Sequence, residues 1–407
     1  MMNLLRFKDE HGQDFPEWEL RELGLIASKV IIKNRDVSVK HVLTNSATQG
    51  IVNQSDYFDR DIANKNNLDG YYVVELDDFV YNPRISATAP VGPIKRNKAA
   101  IGVMSPLYTV FRFSAGNLDF LEQYFETTRW HDHLKSVANS GARHDRMNVT
   151  NSDFLSLPLV LPHEQEQTKI ANILMAVDEK ITQLTQKCEL LARYKKGLMQ
   201  QIFSQALSFK ENNGQDFPEW ETLQLCDIAT RVTRKNKENN LNVLTISAQQ
   251  GLINQEEYFH KSVSAKDVTN YYLLHNGDFA YNKSYSKGYP MGAIKCLNRY
   301  SKGVVSTLYI CFKFNDGNIN AFFEHYFEAG LQNVEIEKVA QEGARNHGLL
   351  NIGLNDFFGI SLTIPSTGEQ RKIASFLNAI DDKITHTHNQ LQAMKQYKQG
   401  LLQKMFI

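Results

Sequence analysis

From Glu166 onward the apolar positions fall in alternating steps of four and three: Ile170, Leu174, Val177, Ile181, Leu184, Cys188 and Leu191, then Lys195, Leu198 and Ile202. About two hundred residues later the ladder returns as Ile373, Leu377, Ile380, Ile384, Thr387, Leu391 and Met394, then Lys398, Leu401 and Met405. A lysine interrupts both ladders at the same rung. A repeat averaging 3.5 residues keeps one narrow stripe turned toward a partner helix, as in the a/d seam of a coiled coil. An ordinary amphipathic helix would show a wider stripe over a shorter run. The pattern therefore predicts two long helices, Glu166 to about Gln205 and Glu369 to the C-terminus. Each would be a rod of about 60 Å at 1.5 Å rise per residue. The two seams are expected to pair with each other as an antiparallel coiled coil with pseudo-two-fold symmetry. Off the seam, Ile173, Tyr194, Met199 and Phe203, with Phe376, Tyr397, Leu402 and Phe406, form either a docking strip for another subunit or contacts with the chain's own domains.

Ahead of each ladder the pattern changes to short β-branched and aromatic runs bounded by Gly, Asn and Asp, such as VLTISAQQGLI, YYLLHNGDFAYN and VVSTLYICFKF. A helix is predicted after them, over LDFLEQYFETTRWHDHLKSV and INAFFEHYFEAGLQNVEIEKV. The expected class is α/β in the mixed α+β sense. Trp18 and Trp220 are expected to anchor the first turn of each domain, and Tyr71, Tyr72, Tyr271 and Tyr272 to be strand core rather than stacking platforms.

These halves are one module written twice. FKDEHGQDFPEWE at Phe7 to Glu19 returns as FKENNGQDFPEWE at Phe209 to Glu221, VLTNSATQG as VLTISAQQG, and GAR recurs at 141–143 and 343–345. A period of about 200 residues is too long for a solenoid and leaves each copy large enough for its own core. The predicted division is 1–162, a first globular domain; 163–206, a first helical region; 207–365, a second globular domain; and 366–407, a second helical region.

Composition narrows the choice of partners. Lys plus Arg and Asp plus Glu stand at 45 each, so a charge-driven, histone-like grip on nucleic acid is excluded and any such affinity must come from locally sorted charge. No apolar run approaches the roughly 18 residues of a membrane span, and MMNLLRFKDE is too short and charged for a secretory signal, so a cytoplasmic protein without membrane contact is expected. Cys188, Cys226, Cys296 and Cys311 show neither CxxC nor zinc-ligand spacing and are read as reduced structural thiols.

Locally sorted charge does occur, in loops that differ between the copies. The first carries Asn82, Arg84 and Ser86 in YNPRISATAP, then Lys95, Arg96 and Lys98, then Arg143, His144 and Arg146 in SGARHDRMN. The second carries Asn282, Lys283, Tyr285 and Lys287, then Lys295, then Arg345, Asn346 and His347. A shared scaffold with altered Arg, Lys, Asn and Ser side chains suits two different DNA half-sites, since those groups read base edges. A protein-organising scaffold that never touches nucleic acid also fits the neutral charge. No phosphate loop, HExxH, GxSxG or Gly-rich AdoMet loop occurs, and Tyr81-Asn82-Pro83-Arg84 lacks the aromatic partner of a flipped-adenine motif, so catalysis by this chain is not expected.

Together, FPEWExxxLxxIA at Phe15 to Ala27 and Phe217 to Ala229, the GDFxYN run, and DFLSLPLVLPHEQEQTKIANIL with DFFGISLTIPSTGEQRKIASFL resemble the specificity subunit of type I restriction-modification systems over essentially the whole chain. In each of the last two, a proline-ended strand precedes a Glu-Gln, here Glu166-Gln167 and Glu369-Gln370. The resemblance implies two target recognition domains joined by helices that set the spacing of a bipartite target on double-stranded DNA. It implies two methyltransferase subunits as partners and, through them, restriction and translocase subunits. AdoMet, ATP and Mg would belong to those partners, with no cofactor or metal in this chain. Half-sites one turn, about 34 Å, apart on a rod of about 60 Å would need inward-leaning faces or bent DNA. One departure is DDF at Asp77 to Phe79 where the second copy has GDF, which puts the shape of that turn in question.

Overall fold

The computed structural model describes residues 5–57, 68–138, 145–259, 267–286, 288–342, 348 and 350–406. It divides into two compact units, residues 1–185 with 389–407, and residues 186–388. Each boundary passes through a long helix, so each unit holds one globular half, the start of the helix that follows it and the end of the other helix.

Within each globular half the same four-stranded antiparallel sheet forms. In the first unit the order is Ala27–Lys29, Thr109–Phe113, Phe79–Tyr81, Ile94–Arg96, and in the second Ala229–Arg231, Ile310–Phe314, Phe279–Asn282, Ala293–Cys296. Phe79, Tyr81 and Phe111, and in the second copy Phe279, Tyr281 and Phe312, are buried by this sheet. Buried aromatic side chains run through each core beside the aliphatic ones, with ring contacts such as Tyr81 on Phe154 at 5.1 Å and Tyr281 on Phe357 at 4.8 Å.

Each expected single helix after the sheet is two. Leu118–Phe125 is followed by His131–Val137, and Asn320–Glu328 by Asn333–Val339. In the second copy Gly330 (φ +76°) ends the first segment in the left-handed region. In the first, the Thr127 hydroxyl donates to the Tyr124 carbonyl at 2.6 Å, and buried Trp130 begins the next segment.

The two long helices are Glu164–Phe203 and Thr367–Met405. In the first unit the early turns of the first meet the last turns of the second. Ile170, Leu174 and Val177 share one core with Leu401, Met405 and Phe406, and Ile181 and Met394 pack at its edge. In the second unit Leu198, Met199 and Ile202 share the core with Ile373, Leu377 and Ile380, with Ile384 beside them. Leu184 and Leu391 are buried, and Leu191 is half-buried. The pairing is antiparallel, as expected, and the 3.5-residue period marks the stripe that pairs. The helix ends differ from a bare two-helix seam: the globular half covers the same stripe, so the buried face widens there. This also settles most of the off-seam residues. Met199 and Phe203, Phe376, and Leu402 and Phe406 contact the chain's own cores, whereas Ile173, Tyr194 and Tyr397 are exposed.

The Glu-Gln that opens each long helix fastens it to its globular half. The Gln167 carbonyl oxygen accepts from Asn117 N (2.9 Å) while its amide donates to Pro162 O (2.9 Å), and Gln370 does the same with Ile319 N (3.1 Å) and Pro365 O (2.9 Å). The glutamates diverge. Glu166, fully buried, accepts from Arg6 (3.0 Å), and Glu369 from the Trp220 indole (3.2 Å). Burial pushes the Glu369 carboxyl above the usual range. Trp18 and Trp220 pack at the edges of their cores.

The turn in question keeps its shape. Asp77 adopts φ +69° where Gly277 has +89°, and the buried carboxylates beside them, Asp78 and Asp278, accept from the backbone N of Glu75 and His275 at 2.8 Å in both copies. None of the four cysteines is disulfide-bonded; Cys296 and Cys311 are buried, and burial pushes the Cys311 thiol up to about 12. No helix among the described residues is long and apolar enough to cross a membrane.

Candidate nucleic-acid interface

In both copies the central strand of the sheet runs directly into the loop that differs most. The Tyr81 hydroxyl donates to Val91 O at 2.9 Å and Tyr281 to Met291 O at 2.8 Å, each bond folding the loop back over its own strand. Desolvation holds both phenols well above their ordinary range, so they stay protonated and donating. Gly92 and Gly292 complete the return at positive φ, where a Cβ would strike the carbonyl oxygens of Asn82 and Asn282.

Asn82 uses both ends of its amide inside this turn. Its Oδ1 accepts from Arg84 N (3.0 Å) and its Nδ2 donates to Asn45 O (3.0 Å). Asn282 likewise accepts from Ser284 N at 3.1 Å. These asparagines shape the loop; beyond them Arg84, Ser86 and Tyr285 are exposed.

The loop pairs with the segment after the GAR motif. Ile85 N donates to Asp145 O (2.9 Å) and Met147 N to Pro83 O (2.8 Å), which sets Arg84 opposite Arg146. In the second copy Tyr285 N donates to Gly348 O (2.7 Å) and Leu350 N to Lys283 O (3.0 Å). In each unit the loop thus pairs with backbone that follows the GAR motif, and in the first unit this joins Arg84 and Arg146, which the sequence presents in separate clusters.

In the first unit this surface is a wall of a cleft of about 540 Å³. Arg84, Ser86 and Arg146 line one side, and Thr44, Ser46 and Thr48, from the hairpin of Leu43–Ser46 and Gly50–Asn53, line another. Tyr71, Tyr108 and the exposed Leu107 complete the rim. Beneath the hairpin, buried Asn45 donates to Val80 O at 2.7 Å, and its Oδ1 has no partner among the described residues. In the second unit the corresponding loop presents Lys283 and the exposed Tyr285.

Other basic candidates lie elsewhere. Lys95 pairs with Glu126 (2.5 Å), Lys98 with Glu122 (2.6 Å), and Arg96 with Asp77 (2.6 Å) and Asp119 (2.7 Å). Lys295 pairs with Glu328 at 2.5 Å and Tyr289 at 3.1 Å. These four cations tie the sheet edge to the helix after it, because their strand faces that helix's acidic side. The structure does not bring them into the cleft. Arg143, His144, Lys287, Arg345, Asn346 and His347 lie outside the described residues.

The cleft residues that the sequence reading passed over are Thr44, Ser46, Thr48 and Tyr108. The signal for Thr44, Ser46 and Thr48 is the period-2 run of hydroxyls in LTNSAT, which marks one face as polar; Tyr108 has no such signal.

The family described as "Type I restriction modification DNA specificity domain" matches residues 218–396, taking in most of the second globular half and its helix. Over that stretch the chain matches the type I restriction-modification specificity family. The matched domain of that family is one of DNA specificity, not a catalytic one. The chain is similar to two type I restriction enzyme specificity subunits of Methanocaldococcus jannaschii. It is 24% identical over 290 residues to MjaX, covering 66% of this chain and 62% of that protein, and 25% identical over 242 residues to MjaVIII, covering 54% and 52%. The match thus spans less than two thirds of the length of either relative. Among solved structures, the specificity subunit from M. genitalium superposes with a TM-score of 0.56 at 13% identity, covering 100% of this chain and 99% of that one. The HsdS subunit from Thermoanaerobacter tengcongensis gives 0.50 at 14% identity, covering 98% and 99%. With these structures the chain shares its fold, which here is two mixed α/β halves with long paired helices.

Proposed function

We propose that this chain is the non-catalytic DNA-specificity subunit of a type I restriction-modification complex and reads a bipartite, gapped target on double-stranded DNA. Residues 1–162 read one half-site and residues 207–365 the other, while the helical regions 163–206 and 366–407 hold the spacing. Two methyltransferase subunits dock on it, and restriction and translocase subunits join through them; AdoMet, ATP and Mg serve those partners. The reading is carried by one observation. The same loop-on-sheet surface occurs in both units with different side chains, Arg84 and Arg146 in one against Lys283 and Tyr285 in the other. Identical backbone support with different donors is what two unlike half-sites require.

Exchanging residues 1–162 for those of another specificity subunit is expected to change one half of the methylated sequence in the host and leave the other intact. A change in both halves would refute separate reading. A scaffold without DNA contact remains the competing reading, favoured by the net charge of zero. Salt-dependent binding of the full chain to duplex DNA, with and without methyltransferase subunits, separates the two, since phosphate contacts give a steep fall with salt.

A further inference from the structure

Arg84 and Arg146 are cross-strand neighbours of an unusual kind. The flanking bonds, Ile85 N to Asp145 O and Met147 N to Pro83 O, leave them as a non-hydrogen-bonded antiparallel pair. At such a pair the Cα atoms approach to about 4.5 Å and the side chains leave the same face. Like charges placed so are destabilising in the free protein. Among the described residues Arg84 has no carboxylate partner, and Arg146 has only its chain neighbour Asp145, at 3.9 Å from a buried Nε that makes no hydrogen bond. Arg6, Arg96 and Arg112 in the same unit each hold a carboxylate within 3.0 Å. The described lining of the cleft contains both arginines and no Asp or Glu.

Two arginines that face each other across a backbone bridge and line one cleft, with no acid among the cleft's described lining, suit an acceptor-rich ligand. We propose that Arg84 and Arg146 act as one fork that takes two acceptors on a single DNA strand, and that this fork gives the first half-site its own recognition. The inference rests on the DNA-reading function proposed above. The two acceptors are the O6 and N7 edge of a guanine, or two oxygens of one phosphate. The second copy has Ser284 where the first has Arg84, and Leu349 where the first has Arg146. The fork therefore belongs to the first unit.

The test is the adenine-methylation profile of the host with the gene intact, deleted, or replaced by full-length Arg84→Ala, Arg146→Ala or the double variant. For a guanine edge, each single variant loses about ten- to a hundredfold preference at the same base pair of one half-site, the double variant loses no more than either single, and the other half-site is unchanged. For a phosphate, methylation falls at all targets with sequence preference retained, again without additivity. Unchanged profiles, or losses that add or fall at different base pairs, overturn the fork and leave the DNA-reading function standing. If deletion of the gene removes no methylated motif, the function itself fails and the fork with it. Thermal unfolding of the purified full chains guards against a trivial loss. Removing either arginine is expected to leave Tm unchanged or raised, because a like-charge contact is relieved, and a marked fall would show the pair to be structural and overturn the proposal.

Discussion

In the first unit, Nζ of Lys398 on the second long helix lies 2.7 Å from a carboxylate oxygen of Asp178 on the first, and Gln123 donates to the same carboxylate at 2.9 Å. The second unit repeats the rung, with Lys195 Nζ 2.6 Å from Asp381. This accounts for the lysine that interrupts both apolar ladders. The alkyl stem fills the seam, the ammonium meets an acid from the facing helix, and a polar rung at one level fixes register.

Replacing Lys398 with alanine is expected to cost about 1–2 kcal/mol, since a half-buried acid loses its cation and the stem's packing goes with it. Methionine, which keeps the stem, should cost less than alanine or nothing. Thermal unfolding of the full chain orders the variants, and an alanine variant as stable as the original would remove the rung from the stability account.

Asp78 and Asp278 occupy the same buried position but are neutralised from different sides. Arg112, from the neighbouring strand, bonds Asp78 at 2.6 and 3.0 Å, whereas Asp278 is held by Arg234 from the loop after the first strand. At Arg112's position the second copy has Lys313, and at Arg234's position the first has Ile32. Arg112→Ala should cost about 2–3 kcal/mol, reduced from a fully buried pair because Arg112 is partly exposed. Adding Ile32→Arg to that variant should recover part of the loss. Urea denaturation measures both, and a second arginine without effect would show the two sites not to be interchangeable.

At position 77 two small terms oppose each other. Glycine would relieve the left-handed φ of +69° but remove the Arg96 pair, and Arg96 would keep Asp119. Asp77→Gly should therefore lie within about 1 kcal/mol of the original, while Asp77→Ala, which keeps the strain and loses the pair, should be the less stable by about 1 kcal/mol. Equal stability of the two variants would argue against backbone strain at this turn.

His325 gives the second unit a titrating group at a position where the first has Gln123. Burial lowers its pKa below the ordinary 6.5; its Nε2 lies 2.8 Å from Asn378 Oδ1 and its Nδ1 3.9 Å from Asp381, with Lys195 and Glu328 also acting on it. A depressed histidine pKa means that the unfolded chain takes up the proton first, so stability falls as pH drops below about 6.5. His325→Gln should flatten the fall between pH 7 and 5.5. Denaturant unfolding at the two pH values checks this, and an unchanged slope in the variant would place the proton uptake elsewhere.

The sequence by itself determined the duplication, the two long helices, the apolar seam on each and the place of the lysine rung, because those depend on periodicity and on repeats along the chain. It also placed Arg84, Ser86 and Arg146 among the candidates for DNA contact, without separating them from the other basic residues. Only the tertiary structure decided which basic residues remain available. Lys95, Arg96, Lys98 and Lys295 look like a DNA-facing cluster in the sequence, but their strand edge lies beside the acidic face of the following helix, and Coulomb attraction pairs them there. The pairing of Arg84 with Arg146 was equally invisible, since two loops some sixty residues apart leave no periodic signal and meet only through two backbone hydrogen bonds. The helix ends show the same limit: Met199, Phe203, Leu402 and Phe406 lie off the seam in sequence, and only packing against the globular halves shows what buries them.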